Sequence, residues 1–272
     1  MCGRYILVEE VEVLESRFQA NIPDGFQFSP SYNISPGQYA PVVVGVQPRQ
    51  IMLMRFGLTP FWAKKDMLLI NARSEGDHNP TDDPAFTGTK GIITKPSFRK
   101  PIRSQRCLIP ADAFIEGTTK EKLSKPYLIY LRNKVRPFAM AGIYDEWINP
   151  ETQKVIQGFS IVTTTPNEVM QKIPHHRMPV ILHPGEESLW LNPETPLYKI
   201  TSSLNPFPAD AMNGYPISPL IKSPKENNAG LIKPLGELLE AETEFRDKRS
   251  IYRQGMGNAK ERFDDHNPYQ PL

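Results

Sequence analysis

Proline is the residue that most constrains how this chain can fold. The sequence contains 28 prolines among 272 residues, about twice the usual proportion. Because proline lacks a backbone N–H and fixes φ, it interrupts helices and is excluded from the centre of a sheet. The apolar runs between the prolines are short. This pattern favours short strands joined by ordered loops over a helical bundle.

The apolar runs predict an α+β fold. Val11, Leu14 and Phe18 recur at helical spacing and indicate one amphipathic helix, whereas Pro166 begins a second, shorter one. Because strands and helices do not alternate regularly, we expect a curved, barrel-like and mainly antiparallel sheet with flanking short helices. The strands are predicted at 5–8, 41–46, 50–56, 126–132, 137–144, 156–164 and 180–182, with a helical turn at 186–191 and irregular chain at 21–40 and 192–235.

The sequence pattern predicts one domain and a separable C-terminal tail. Residues 2–235 contain no repeat and no internal boundary, so we expect them to form a single domain. Residues 76–92 are polar, rich in Gly, Pro and Asp, and lack periodicity, which indicates an inserted surface loop. Residues 236–272 are predicted to form a charged helix, at 237–253, followed by a mobile C-terminal tail.

Composition excludes several classes of protein. The net charge of +2 rules out a polycation, so any nucleic-acid site must be a local cleft. Cys2 and Cys107 give neither a disulfide framework nor metal-ligand spacing, which fits a reducing cytoplasm and no metal site. We expect no membrane span and no signal peptide. Glycine-rich phosphate-binding patterns are absent, so no cofactor is predicted.

Cys2 is the most reactive candidate, because it directly follows Met1. If Met1 is removed, Cys2 carries an α-amine beside its thiol. The amine, with a pKa near about 8, can form a Schiff base with an aldehyde. The thiolate can then close a five-membered thiazolidine ring. The alternative is that Cys2 is a small apolar residue that opens a strand.

Two further segments carry candidate acid–base groups. Glu116 follows Phe114 and Ile115, and a carboxylate among apolar neighbours often has a raised pKa. The alternative is a glutamate at a strand end that faces solvent. His175 and His176 precede an arginine, and one of them could transfer protons or bind phosphate.

Basic and aromatic residues indicate a nucleic-acid site. Arg73, Arg99, Arg103 and Arg106 could line a groove for phosphates, because arginine contacts the backbone oxygens of DNA. Phe61 and Trp62 could stack on bases. Taken singly, the same residues also fit a solvated basic face and an aromatic core.

Taken together, the segments resemble one known family. The sequence blocks that carry the resemblance are MCGRY at 1–5, NARSE at 71–75, PSFR at 96–99, RCLIPA at 106–111, AGIY at 141–144 with Trp147, TTTPN at 163–167 and HHRMP at 175–179. In this order they are similar to the SRAP family, the SOS response-associated peptidases or abasic-site processing proteins. The resemblance covers roughly residues 2–235.

The resemblance implies a single SRAP domain that binds single-stranded DNA and links covalently to abasic sites through Cys2. Asn71 is then the residue that holds the site near Cys2, Glu116 the acid/base group, and His175 a group that stabilises the abasic site. The residues implied to contact DNA are Arg4, Arg73, Arg177, Phe61, Trp62, Phe98 and Arg99. The expected partner is single-stranded DNA with abasic sites, bound by a monomer in the cytoplasm, associated with the nucleoid of a bacterium.

The sequence departs from the family pattern at two positions near these blocks. Phe56 replaces the usual Trp, which is expected to alter base stacking. Gly117 follows Glu116 where Trp is usual, which is expected to leave the loop beside the acid looser.

Two other functions remain open from the sequence. The first is a thiol autopeptidase that removes Met1, with Cys2 as nucleophile and His175 as base. The second is a DNA-binding module without catalytic activity, in which Cys2 is structural. Trapping of abasic DNA distinguishes the crosslinking reaction from both.

Overall fold

The computed structural model describes residues 2–45, 48–132 and 136–241. Within these ranges the chain has an α+β fold that consists mainly of strands, as the sequence predicts. The strands are β1 (Tyr5–Leu7), β2 (Ala20–Asn21), β3 (Ser31–Ile34), β4 (Tyr39–Val44), β5 (Arg49–Phe56), β6 (Asn71–Arg73), β7 (Arg106–Ala111), β8 (Ala113–Thr118), β9 (Lys122–Leu131), β10 (Phe138–Ile148), β11 (Val155–Thr164), β12 (Met178–Pro179), β13 (Ile181–Leu182) and β14 (Met212–Pro216).

The helices are short and lie outside the sheets. They are α1 (Val11–Phe18), α2 (Pro101–Ser104), α3 (Glu168–Lys172), α4 (Glu187–Leu191) and α5 (Leu197–Ser202), with 3₁₀ turns at Gly91–Ile93, Ala209–Ala211, Pro219–Lys222 and Ala229–Ile232. Leu14 and Phe18 of α1 are fully buried, which confirms the predicted amphipathic helix. Asn167 caps α3, because its side chain accepts a hydrogen bond from the backbone N–H of Met170.

Five strands close into a barrel. The order β4–β7–β10–β11 is antiparallel throughout, and β5 pairs with both β4 and β11. The β5–β11 pairing is parallel, with Gly158 opposite Arg55. Glycine is required at 158, because a Cβ there would lie 2.5 Å from the carbonyl oxygen of Gly57. Closure removes the exposed edges that an open sheet would present.

The barrel encloses an apolar core. Phe56 of β5 and Phe159 of β11 stack with ring centroids 5.2 Å apart, and Tyr5 meets Phe56 edge to face. All three side chains are fully buried. Burial of an aromatic side chain of this size stabilises a fold by about 1.5–3 kcal/mol, so the closing strands are held by packing as well as hydrogen bonds.

A second, five-stranded sheet packs beside the barrel in the order β14–β9–β8–β1–β3. The chain passes from the barrel to this sheet at Asp112, between β7 and β8. The carboxylate of Asp112 is buried and accepts the backbone N–H of Val8 at 2.7 Å. Burial raises the pKa of Asp112 to about 6.

Short strands extend the barrel sheet. Strands β6 and β12 pair with β11, and β13 pairs with β10. Because β6 runs parallel to β11, Asn71 lies opposite Ile161. The Asn71 side chain contacts the Cys2 carbonyl oxygen, so this pairing brings β6 and β11 close to the residues that precede β1.

Two predictions about regular structure are wrong. Part of the stretch 21–40 forms β3, whose side chain of Asn33 is held by backbone carbonyls of Ile221, Ser223 and Glu226. Part of 192–235 forms α5 and β14. Local sequence did not predict either, because tertiary hydrogen bonds supply partners that a loop pattern does not show.

The charged helix predicted for 237–253 does not begin within the described residues. Residues 237–241 are not helical. Instead, the backbone N–H of Leu239 donates to Gly214, and Asn213 bonds to the backbone of Glu240. Positions 242–253 lie outside the described residues. No helix in the ranges described is long and apolar enough to cross a membrane.

Candidate functional site

Cys2 lies at the entrance to β1 and is held there by Asn71. The Asn71 side-chain NH₂ donates to the carbonyl oxygen of Cys2 at 3.0 Å, and also to that of Ile70 at 3.0 Å. The Cys2 side chain is only 1% exposed. Because Asn71 opens β6, the parallel pairing of β6 with β11 fixes the position of the residue that holds Cys2.

Glu116 contacts the Cys2 thiol directly. It lies inside β8, opposite Tyr127 of β9, so the alternative of a solvent-facing glutamate at a strand end is wrong. Its side chain is buried, and its carboxylate accepts a hydrogen bond from the Cys2 thiol. Burial raises the pKa of Glu116. Burial and the neighbouring Glu116 together raise the pKa of the Cys2 thiol, so both groups favour their protonated forms.

His175 extends this chain of hydrogen bonds. It follows α3, and its Nε2 lies 3.3 Å from the Glu116 Oε2 atom. Its Nδ1 lies 2.7 Å from the carbonyl oxygen of Gly117. Since a carbonyl oxygen only accepts, Nδ1 carries the proton and Nε2 presents a lone pair to Glu116. Burial lowers the pKa of His175 to about 3, so the ring is neutral near pH 7.

Gly117 is tightly packed, which corrects the expectation of a looser loop. It lies in β8 beside an irregularity of the β8–β9 pairing. A Cβ at Gly117 would lie 1.7 Å from the backbone oxygen of Lys122. The close approach of β9 therefore excludes any side chain, and it holds the Gly117 carbonyl against His175.

A buried ion pair lies beside this group. The Arg177 guanidinium donates to Glu75 at 2.8 Å and to the Thr163 hydroxyl at 3.2 Å. Arg177 and Glu75 are almost completely buried. The Arg177 guanidinium outweighs the effect of burial on Glu75 and holds the pKa of that carboxyl below its ordinary value. Arg177, which the resemblance implies as a phosphate contact, thus lies at the floor of the site.

Arg73 lies closer to the surface and is paired with the inserted loop. Its guanidinium donates to Asp82 and to the backbone oxygen of Asn79, each at 2.7 Å. The His176 Nε2 atom lies 3.7 Å from Asp82, and the His176 ring stacks on that of His175 with centroids 5.1 Å apart. Residues of the 76–92 loop therefore contact the site.

The predicted aromatic surface lies on the segment after β5. Phe61 and Trp62 are about half exposed, and the Lys100 ammonium lies 4.5 Å from the Phe61 ring centroid. Phe98 is half-buried and packs against the core, while Arg99 is exposed. Arg99, Lys100 and Arg103, with neighbouring residues, line an open cavity of about 560 Å³.

Two other arginines are engaged with backbone. Arg4 donates to the carbonyl oxygens of Ile221 and Lys222, so it anchors a 3₁₀ turn against β1. Arg106 is buried and donates to four carbonyl oxygens from α2, α4 and their flanks. The expectation that Arg106 lines a phosphate groove is therefore wrong, because its donors are used inside the fold.

Phe56 is a core residue and not part of a base-stacking surface. Its ring is fully buried between Tyr5 and Phe159. The expectation that its replacement of Trp alters base stacking is wrong for this reason.

Three residues at this site were not singled out from the sequence. Glu75 belongs to the NARSE block, and a glutamate two residues after Arg73 was a usable signal. Thr163 begins the TTTPN block and lies in the buried part of β11, but nothing in the sequence places its hydroxyl beside Arg177. Asp82 lies in a loop without periodicity, so only the folded chain shows its contacts. The described ranges contain no group of three His, Cys, Asp or Glu side chains that could hold a metal ion.

Comparison with known proteins gives one consistent result. Residues 1–224 match the family described as SOS response associated peptidase (SRAP). The abasic site processing protein YoqW of Bacillus subtilis is 38% identical over 242 residues, which cover 86% of this chain and 99% of YoqW. The abasic site processing protein HMCES of Gallus gallus is 28% identical over 245 residues, which cover 77% and 67% of the two chains. A crystal structure of a protein from Bacteroides thetaiotaomicron superposes with a TM-score of 0.71 at 29% identity and covers 86% of this chain and 99% of that chain. The chain therefore belongs to the SRAP family, whose curated relatives are abasic site processing proteins.

Proposed function

We propose that this protein binds single-stranded DNA at abasic sites and forms a covalent thiazolidine crosslink through Cys2. The observation that supports the proposal best is the buried hydrogen-bonded series of Cys2, Glu116 and His175. It places a titratable acid between a nucleophile and a neutral imidazole, at the residue that becomes the N-terminus once Met1 is removed.

The reaction needs no group besides the chain, the DNA and water. Hydrolysis of the Met1–Cys2 peptide bond releases the α-amine of Cys2. The ring-opened abasic sugar offers an aldehyde, and the amine condenses with it to an imine as one water leaves. The Cys2 sulfur then adds to the imine carbon, and the nitrogen takes up the thiol proton. The product is a five-membered ring with new C–N and C–S bonds.

Glu116 supplies the proton transfers, and His175 holds its carboxyl group. Because Glu116 has a raised pKa, its protonated form can donate to the sugar ring oxygen and open the ring. The neutral Nε2 of His175 can accept a hydrogen bond from the protonated Glu116 carboxyl and so orient it. Asn71 holds the Cys2 carbonyl, so the nucleophile stays aligned. Closure to the thiazolidine prevents the imine from proceeding to strand cleavage by β-elimination.

The protein also carries groups that fit a flexible DNA strand. Arg73 is partly exposed and offers a guanidinium group for a phosphate, and Phe61 and Trp62 offer exposed rings for bases. Arg99 and the basic cavity that it lines offer further positive charge, and Arg177 lies buried beneath the Arg73 side of the site. A single strand is favoured, because an unstacked nucleotide can bring its sugar to the buried thiol.

The experiment that tests the proposal is denaturing electrophoresis of protein incubated with abasic single-stranded DNA. Wild-type protein should give a heat-stable shifted band, and Cys2→Ala should give none. Cys107→Ala is the matched control, because it removes the other cysteine, which lies in the core. The Cys2→Ala protein keeps an α-amine and should still give an imine that borohydride traps. A heat-stable band of wild-type intensity from Cys2→Ala would contradict the proposal.

A thiol autopeptidase is the second candidate, because Asn71 and Glu116 both contact Cys2. Burial raises the pKa of the Cys2 thiol and so disfavours the thiolate in peptide hydrolysis and in thiazolidine closure alike, which means that only the reaction products separate the two functions. Hydrolysis of a peptide supplied in trans, without any adduct on abasic DNA, would favour it.

A further inference from the structure

The inserted loop places a carboxylate on the basic residues of the site. Asp82 lies 2.7 Å from Arg73 Nη2, 3.7 Å from Arg177 Nη1 and 3.7 Å from His176 Nε2. These three residues come from β6 and from the HHRMP segment, so a single carboxylate bridges both walls of the site. A phosphate oxygen bound by the same arginines would occupy the position that Asp82 holds here.

The arginines retain donors that Asp82 does not satisfy. The Nε and Nη1 atoms of Arg177, and Nε of Arg73, are buried and have no hydrogen-bond acceptor among the described residues. A buried guanidinium with unused donors is costly. A phosphodiester carries more acceptor oxygens than the Asp82 carboxylate and could satisfy more of these donors.

The loop that carries Asp82 is held mainly by polar contacts, which include the Asp77–Lys95 ion pair and the hydrogen bond from Arg73 to the carbonyl oxygen of Asn79. Most side chains between Asp77 and Thr89 are exposed, so displacement of this part uncovers little apolar surface. Its local turn is closed by Asn79, whose side chain bonds to the backbone of Asp83 in both directions. Ile92, where the loop rejoins the fold, is fully buried and fixes that end. The loop can therefore move as a unit between fixed ends.

We propose that Asp82 is an internal competitor for the DNA phosphate, and that the 76–92 loop leaves the basic residues when single-stranded DNA binds. This inference rests on the proposed function, because it names a regulatory contact of the same site. Ligands that do not supply a phosphate at Arg73 and Arg177 cannot displace the loop. The contact thereby lowers the affinity for other molecules and raises the requirement for correctly placed DNA.

The test is the variant Asp82→Asn, with Asp83→Asn as matched control. Asp82 has a φ of +54°, a conformation that Asn tolerates well and Ala does not, so Asn keeps the loop geometry. Asp83 carries the same charge one residue away, but it is exposed and its carboxylate accepts the backbone N–H of Ala85. Since a partly exposed ion pair contributes modestly, the affinity of Asp82→Asn for an intact single-stranded oligonucleotide should rise about two- to fivefold. Asp83→Asn should match wild type.

The rate of adduct formation distinguishes competition from a role in the chemistry. At saturating abasic DNA, Asp82→Asn and wild type should react at the same rate, whereas at low DNA concentration the variant should react faster. Unchanged or weaker DNA binding by Asp82→Asn would overturn the inference, because Asp82 would then only orient the arginines.

Hydrogen exchange of the full-length protein gives an independent readout. Backbone amides of residues 77–89 should exchange faster when wild type binds the intact oligonucleotide, and faster without DNA in Asp82→Asn. Slower exchange on DNA binding would show that the loop closes on the strand and would overturn the inference. Wild type could crosslink abasic DNA while Asp82→Asn shows unchanged DNA affinity and residues 77–89 show unchanged hydrogen exchange. In that case only this inference fails. If wild type neither binds nor crosslinks DNA, the proposed function fails with it.

Discussion

Replacement of Glu116 by glutamine removes the titratable carboxyl group from the centre of the site and keeps the size of the side chain. The glutamine oxygen can accept a hydrogen bond from the Cys2 thiol, and the glutamine NH₂ can donate one to the Nε2 lone pair of His175. Residue 116 is 3% exposed, so water does not reach this position to act as the proton donor in place of the lost acid. The shape and the hydrogen bonds are kept, and only the titratable group is lost.

The expected effect follows from the acid's role. General acid–base catalysis contributes about 10²- to 10⁴-fold to rate, so adduct formation by Glu116→Gln should slow by that range. The wild-type rate should fall as pH rises through the raised pKa of Glu116, because the acid form is then lost. The variant should not show this descent.

The free energy of unfolding of Glu116→Gln should not fall, although its reaction rate does. A carboxyl whose folded pKa is raised stabilises the fold only below its unfolded pKa, and that contribution is lost as pH rises through the folded pKa. Glu116→Gln should therefore equal wild type in acid and be at least as stable at neutral pH.

The assay is single-turnover crosslinking on abasic single-stranded DNA at saturating protein, between about pH 5 and 8. Glu121→Gln is the matched control, since Glu121 is an exposed glutamate at the β8–β9 turn that pairs with Lys125. A wild-type rate for Glu116→Gln at every pH, in formation and in reversal of the adduct, would refute the reasoning.

Three further predictions concern the surrounding structure. In the crosslinking assay, His175→Ala should slow the reaction more than His176→Ala, because the His175 ring contacts Glu116 whereas the His176 ring lies beside Asp82; equal rates would contradict this assignment. Asp112→Asn should raise the free energy of unfolding in urea by up to about 3 kcal/mol at pH 7.5 and little at pH 4.5, because the folded pKa is raised to about 6. A gain that is the same at both pH values would exclude burial of the charge as its cause. Gly117→Ala should lower the melting temperature and slow crosslinking together, because the added Cβ would force the strands apart and move the carbonyl that holds His175; an unchanged melting temperature would contradict the packing described.

Much of the barrel could be predicted from the sequence, because its strands are continuous apolar segments. The predicted segments at 41–46, 50–56 and 156–164 correspond closely to β4, β5 and β11. Barrel closure could not be predicted in detail, since the parallel β5–β11 pairing joins segments about a hundred residues apart. The strands β3 and β14 were missed, because their short polar sequences depend on partners supplied by the fold.

The candidate site was likewise predictable from the sequence only in part. Cys2, Asn71, Glu116 and His175 were singled out from their chemistry and from the family resemblance, and the structure brings all four together. The tight packing at Gly117 was not predictable, because a glycine alone does not reveal whether a neighbouring strand or open solvent fills its space.

The contacts of the inserted loop were not predictable for a related reason. Asp82 lies nine residues after Arg73 in a segment of low periodicity, and its other partners, His176 and Arg177, come from a distant part of the chain. Charge pairing at the surface depends on backbone turns, such as the left-handed conformation at Asp82, that the sequence pattern does not specify.

The most direct test of the central claim is the intact mass of the protein after reaction with a short abasic single-stranded oligonucleotide. The claim predicts an N-terminus that begins at Cys2 and a product whose mass equals protein plus oligonucleotide less one water, stable to heat without reductant. Protein that retains Met1 and yields the same heat-stable adduct, or processed protein that yields none, would contradict it.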